Sequence, residues 1–140
     1  GVQGDFKVAY FEDIPFADAS FDMVIDRGGL TCASRTALPL AINEVARVLK
    51  KNGYFMFNPY SDVHSSYVSG DKLADGTVIN IQRGTLVNVG QISFVSRSDI
   101  DDLLSNDCWK IESVFRKEIV DMLGHELNIH AEWQVIAQRI

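Results

Sequence analysis

The chain has 140 residues, 46% hydrophobic and 23% charged, proportions that suit one globular domain with a core of its own. Its net charge of -6 argues against a nucleic-acid backbone or an anionic membrane as a partner, because both would repel it. No apolar run approaches the ~18 residues of a membrane helix, and nothing at the start reads as a signal peptide. Cys32 and Cys108 have no metal-ligand spacing and read as reduced residues of a cytoplasmic protein.

Gly1 to Gly4 reads as loop. Phe6, Val8 and Tyr10 then alternate with Lys7 and Ala9, which predicts a short strand over residues 6–10. Pro15 and the run Ala17-Asp18-Ala19-Ser20 break regular structure before Phe21 to Asp26. There Met23, Val24 and Ile25 are apolar on both faces, as in a buried strand of a parallel sheet. Gly28 and Gly29 mark a turn at its carboxyl end, the edge where open α/β sheets bind ligands.

Ser34 and Thr36 are candidate caps for the following helix, and Pro39 is tolerated in its first turn. Leu38, Ile42, Val45 and Leu49 recur at helical spacing, with Lys50, Lys51 and Asn52-Gly53 as the end signals. Tyr54 to Phe57 is a second apolar strand ending at Asn58-Pro59. The whole, residues 21–58, is a βαβ unit, whose right-handed crossover makes the strands parallel and puts Asp26 and Asn58 on one edge.

Residues 61–76 are polar and read as a mobile loop or short helix over that edge, carrying His64 and Tyr67. Thr77–Ile81, Leu86–Val89 and Ile92–Val95 predict strands, and Ser98-Asp99 a cap for a short helix through Leu104. Trp109 to Val114 and Trp133 to Ala137 are the last strands. Between them, Gly124-His125-Glu126 with His130 lacks the four-residue histidine spacing of a zinc helix, so no metal is expected.

Two stretches resemble a known family. Ile14-Pro15-Phe16, Asp18, Ser20-Phe21-Asp22, the apolar strand and Asp26-Arg27-Gly28 look like the fourth-strand region of class I S-adenosylmethionine-dependent methyltransferases. Asn43-Glu44-Val45-Ala46-Arg47-Val48-Leu49-Lys50 and Lys51-Asn52-Gly53-Tyr54-Phe55 are similar to that family's next helix and fifth strand. The resemblance implies an α/β fold: an incomplete Rossmann-like sheet, mostly parallel, with an antiparallel carboxyl-terminal pair whose final strand inserts between its predecessors. It makes residues 1–140 a single partial domain: strand 6–10, βαβ unit 21–58, lid 61–76, then strands and a short helix over 77–140.

The resemblance also implies S-adenosylmethionine as cofactor. Phe11 and Glu12 follow the implied third strand and would lie by the adenine, although relatives carry a small polar pair where this chain has Tyr10 and Phe11. The bland reading of Phe11 and Phe16 is core packing. Asp26, Arg27, Gly28 and Leu30 would line the cofactor, with Asp26 at its amino group; the alternative for Asp26 is a turn cap. Tyr60, His64 and Tyr67 would lie near the methyl acceptor.

The family's glycine-rich loop, which lets backbone approach the cofactor closely, is absent from these residues. At roughly 30 residues per βαβ unit, the missing part would add about 60, so the chain looks like the carboxyl-terminal two thirds of such an enzyme. The strand Phe21 to Asp26 would then lack a neighbour, and an unpaired apolar edge recruits other chains. Either residues 6–10 fold back to pair there or a second copy covers the edge, and the expectation is a homodimer through that edge or a strand exchange. Three readings follow: a methyltransferase acting on an unidentified acceptor, inactive as this stretch alone; a truncated inactive relative that dimerises or binds a partner; or a fragment of a longer enzyme.

Overall fold

The apolar run forms strand β1 (Phe21–Asp26), and a short 3-10 turn (Leu30–Cys32) leads from it towards helix α1 (Leu38–Val48) and strand β2 (Leu49–Phe57). The computed structural model describes residues 1, 3–105, 107–124 and 127–140. β1 and β2 are parallel, with Val24 beside Phe55 and Asp26 beside Phe57. The predicted βαβ unit is therefore present, and its two strand ends share one edge.

α1 buries Leu38, Ala41, Ile42, Val45, Ala46 and Val48, the stripe its spacing dictates. Its first turn accepts Pro39, but no side chain caps it; Ser34 instead accepts from the Ala37 N–H before the helix. The helix ends earlier than its end signals suggest. Leu49 is already extended, and Asn52, with φ 66°, bends the chain inside β2. Five residue steps of β2, Leu49 to Tyr54, there face two of β1, Phe21 to Met23. Gly53 is required at this bulge, since a Cβ would stand 2.9 Å from the Lys50 carbonyl and 3.0 Å from that of Asp22.

The segment before β1 is pinned by one side chain. Arg47 donates to the carbonyls of Ile14 and Phe16 and to the carboxylates of Asp18 and Glu44, while Glu44 accepts from the Ile14 N–H. Arg47, and then that N–H, pull the Glu44 carboxyl down to about 2. The two motif stretches noted in the sequence are thus one contact: the helix holds the loop that feeds the strand.

Residues 6–10 do not form the predicted strand. Phe6 and Val8 are fully exposed, and the nearest pairing is a single bridge between Tyr10 and Asp13. Alternation makes a segment strand-like, but without a neighbour it has no ladder to join. β1 is accordingly an edge strand, with Met23 47% and Ile25 57% exposed.

After a long excursion the chain returns through helix α2 (Arg97–Leu103) to a hairpin of two long strands. In between lie β3 (Asp71–Lys72) and β4 (Val78–Ile79), which pair with each other; β5 (Trp109–Val120) and β6 (Ile129–Arg139) form the hairpin. The main sheet has the order β1-β2-β6-β5. β6 is inserted antiparallel between β2 and β5, with Phe57 facing Val135, as the family resemblance implied. The core beneath it joins α1 and α2 to Phe55, Phe57, Trp109, Trp133 and Val135.

α2 is capped by Ser96, not by Ser98. The Ser96 hydroxyl accepts from the Asp99 N–H while the Asp99 carboxylate accepts from the Ser96 N–H, a reciprocal capping box. Asp99 is also gripped bidentately by Arg35, which donates as well to the Phe94 carbonyl. That second role accompanies a cap two residues earlier than Ser98.

Residues 59–96 form a cap on the carboxyl edge of the sheet, with a small core of Val78, Ile81, Leu86, Ile92 and Phe94. The three strands expected there shrink to β4 and single bridges, Val78 with Ile92 and Ser61 with Val95. Left-handed backbone at Asn80 and Asn88 interrupts the first two of these runs, and at Gly84 and Gly90 it turns the chain between them. The distal half of the β5–β6 hairpin supports this cap: Ser61 and Ser65 donate their N–H groups to the carbonyls of Ala131 and Ile129. Among the described residues, no helix is long and apolar enough to cross a membrane.

Candidate cofactor rim and acceptor cap

β1 delivers Asp26 to the carboxyl edge, and the next residues wrap around its carboxylate. Oδ1 accepts from the Leu30 N–H at 3.0 Å and Oδ2 from that of Gly28 at 3.4 Å. Burial pushes the Asp26 carboxyl up, and the N–H groups of Leu30, Gly28 and Gly29 pull it back. The turn requires glycine at position 28, where φ is +90°. At Gly29 a Cβ would lie 3.1 Å from Asp26 Oδ1 and 3.7 Å from the Phe11 ring, so Phe11 and Asp26 converge on one bare stretch of backbone.

β2 brings Asn58 to the same edge. Its N–H donates to the Asp26 carbonyl at 3.2 Å, and its buried Oδ1 has no hydrogen-bond partner. Of the residues predicted from sequence, Phe11, Asp26, Gly28 and the N–H of Leu30 therefore come together, the Leu30 side chain going into the core. Glu12 and Arg27 extend their side chains into solvent.

A second cluster stands in the cap. His64, 1% exposed, lies edge-on to the rings of Tyr60 and His130, with centroids 5.5 and 4.9 Å away, and Phe94 tilts against it at 5.7 Å. His64 Nε2 is 3.3 Å from His130 Nδ1, and Thr85 Oγ1 is 3.2 Å from the first and 3.0 Å from the second. Burial, and secondarily His130, hold the His64 imidazole down at about 4. Burial also pushes the Tyr60 phenol up. Tyr67 packs on Phe94 and carries the Lys72 ammonium on its ring at 3.8 Å.

Sequence reasoning named Tyr60, His64 and Tyr67 for this region but missed Thr85 and Phe94 and treated His130 only as a metal candidate. No local pattern links Thr85 and His130 to His64, since they lie 21 and 66 residues further on. An open groove of about 650 Å3 runs beside His64, walled by Asp62, Val63, Val68, Val87 and Leu127. The His125-Glu126 pair falls outside the described residues, among which no group of three metal-binding side chains occurs.

A family model described as a methyltransferase domain matches residues 3–121. The chain belongs to this methyltransferase family. A curated relative from Mycobacterium ulcerans, described as probable phthiotriol/phenolphthiotriol dimycocerosates methyltransferase 2, is 43% identical over 53 residues, 38% of this chain and 20% of its own length. A solved S-adenosylmethionine-dependent methyltransferase from Methanosarcina mazei superposes with a TM-score of 0.77 at 21% identity, covering 100% of this chain and 69% of that one. The 1,6-didemethyltoxoflavin-N1-methyltransferase of Burkholderia thailandensis, solved with S-adenosylhomocysteine, gives 0.61 at 14% identity over 94% of this chain and 48% of its own. The chain thus spans one fifth of the curated relative and 69% and 48% of these two solved structures, and its α/β fold is that of S-adenosylmethionine-dependent enzymes.

Proposed function

We propose that this chain supplies the cofactor rim and the acceptor-side cap of an S-adenosylmethionine-dependent methyltransferase, and that these residues alone do not hold the cofactor tightly. The supporting observation is the meeting of Asp26, the left-handed Gly28, bare Gly29 and the Phe11 ring at the edge shared with Asn58.

The residues present fit part of the cofactor. Phe11, with Glu12 beside it, offers a flat apolar face for the adenine, and the turn from Asp26 to Leu30 offers close backbone approach. Asp26 has its charge partly met by its own turn, yet a carboxylate keeps acceptor capacity for an ammonium group. No glycine-rich loop following a strand precedes β1 in this sequence, so the grip on the methionine and ribose would come from elsewhere. When bound, the cofactor supplies an electrophilic methyl group. Tyr60, His64 and Tyr67 sit in the cap, the acceptor side, where excluding water and orienting the nucleophile are what such a transfer requires.

Isothermal titration of S-adenosylmethionine into this chain is expected to give no saturation at micromolar concentrations. Micromolar affinity would show that the rim alone suffices.

A second reading, a catalytically inactive module that dimerises, is favoured by the free edge of β1 with exposed Met23 and Ile25. Light scattering is expected to give the mass of a homodimer whose β1 amides exchange slowly. A monomer with fast-exchanging β1 amides would exclude it.

A further inference from the structure

We propose that His64, Thr85 and His130 form a proton-operated latch that holds the 59–96 cap against the β5–β6 hairpin near neutral pH and releases it in acid. This does not depend on the methyl-transfer reading. The three residues come from separate segments: His64 from the loop after β2, Thr85 from the cap and His130 from β6. Their contacts close a triangle with edges of 3.3, 3.2 and 3.0 Å.

The tautomers follow from one hydrogen bond. The Ser66 N–H donates to His64 Nδ1 at 3.0 Å, so that nitrogen carries no proton and the neutral ring has its proton on Nε2. That proton points into the triangle, towards His130 Nδ1 and Thr85 Oγ1. A protonated Nε2 cannot bind a metal ion, which leaves a hydrogen-bonding role. A second proton on His64 would meet the Ser66 N–H, and a proton on His130 Nδ1 would meet the one on His64 Nε2. Either sets two donors head to head.

No carboxylate accepts from His64 to offset such a charge; its described hydrogen bonds go to Ser66, Thr85 and His130. The charged groups around it lie on each packed element. Asp62 is on its own loop and Arg83 on the 82–87 loop, both lining the groove. Glu132 is on β6 with its Lys117 partner on β5, 3.7 Å away, and Asp121 is at the end of β5. Tyr60, packed on both imidazoles, is uncharged at these pH values, its phenol pushed up by burial. The latch is flanked by the Ser65 N–H to Ile129 carbonyl bond and the Ile129 N–H to Ser65 Oγ bond. Because Val63, Gly84 and Val87 wall the groove from the cap and Leu127 and Ile129 from the hairpin, release opens the groove.

Amide exchange of the chain at pH 7 and pH 5, corrected for intrinsic rates, tests this. An imidazole held at about 4 when closed and free to titrate near 6.5 when open raises the opening constant about 20-fold between those pH values. Ser65, Ser66 and Ile129 amides are expected to show that rise, with Val24 and Phe55 unchanged. His64→Asn, which can still accept from Ser66 but cannot titrate, is expected to flatten it. Thr85→Val is expected to loosen the cap at both pH values and keep the pH dependence. Unchanged cap protection at pH 5, or a wild-type pH response in His64→Asn, would overturn the latch. Should that variant not fold, imidazole nitrogen shifts of the unmodified chain decide. His64 neutral with its proton on Nε2 at pH 5.5 while the cap is closed supports the latch; His64 charged in a closed cap refutes it.

Discussion

Phe55→Ala is expected to cost about 3–5 kcal/mol, the range for deleting a fully buried aromatic side chain. Phe55 is 0% exposed and lies at the middle of the sheet, beside Val24 of β1 and Ala137 of β6. Its ring stacks on Phe57 at 5.4 Å and tilts onto Trp109 at 5.7 Å, so one truncation loosens contacts to β5 as well. Domains are stable by only about 5–15 kcal/mol. Urea denaturation should therefore show a large fall in midpoint at an unchanged slope. A loss under about 0.5 kcal/mol, the scale of a surface change, would mean that β2 is not the centre of the core.

Trp133→Ala is expected to be comparably severe, about 3–5 kcal/mol, and to act on two layers at once. Its ring belongs to the main core, while its indole N–H donates to the Val95 carbonyl at 2.8 Å and its backbone N–H to the Pro59 carbonyl. Both acceptors are in the cap. Truncation removes packing and one of the two donors to the Val95 carbonyl, leaving only the Asp62 N–H at 3.2 Å, so the amides of Ser61 and Asp62 should lose protection together with global stability. Trp133→Phe separates the two effects: it keeps most of the ring volume and should cost about 1–2 kcal/mol, mostly from the lost hydrogen bond. Cap amides as well protected in Trp133→Ala as in the unmodified chain would contradict the placing of this residue as the joint between sheet and cap.

The parts of the fold that could be read from sequence are those fixed by local periodicity. Leu38, Ile42 and Val45 form a helical stripe whatever lies beyond them, and Met23 to Ile25 and Tyr54 to Phe57 are apolar runs bounded by turn residues. With a short connection between them, handedness makes the strands parallel, and Asp26 and Asn58 follow to one edge. What failed depended on partners or on backbone conformations that side chains do not announce. Residues 6–10 have a strand's pattern and no strand to lie beside. Ser96 and Ser98 each have an aspartate three residues later, Asp99 and Asp101, so either could start α2; Arg35, more than sixty residues upstream, tips the choice by holding Asp99.

The turn from Asp26 to Leu30 was legible because it follows a strand, and the histidine pair was not, because it is made by tertiary packing. His64 could be placed in the cap from its neighbours in sequence. Its tautomer, its burial and its contact with His130 required the path of β6 beyond the end of β2.

The central claim is that the turn from Asp26 to Leu30, with Phe11 and Asn58 around it, is the cofactor rim. Mapping amide shifts of the labelled chain on addition of S-adenosylhomocysteine tests it most directly. Weak, millimolar-range changes confined to Phe11, Glu12, Asp26 to Leu30 and Asn58, and diminished in Asp26→Asn, are the expected result. Shifts centred on another face of the sheet, or none at these residues at the highest concentration reached, would contradict it.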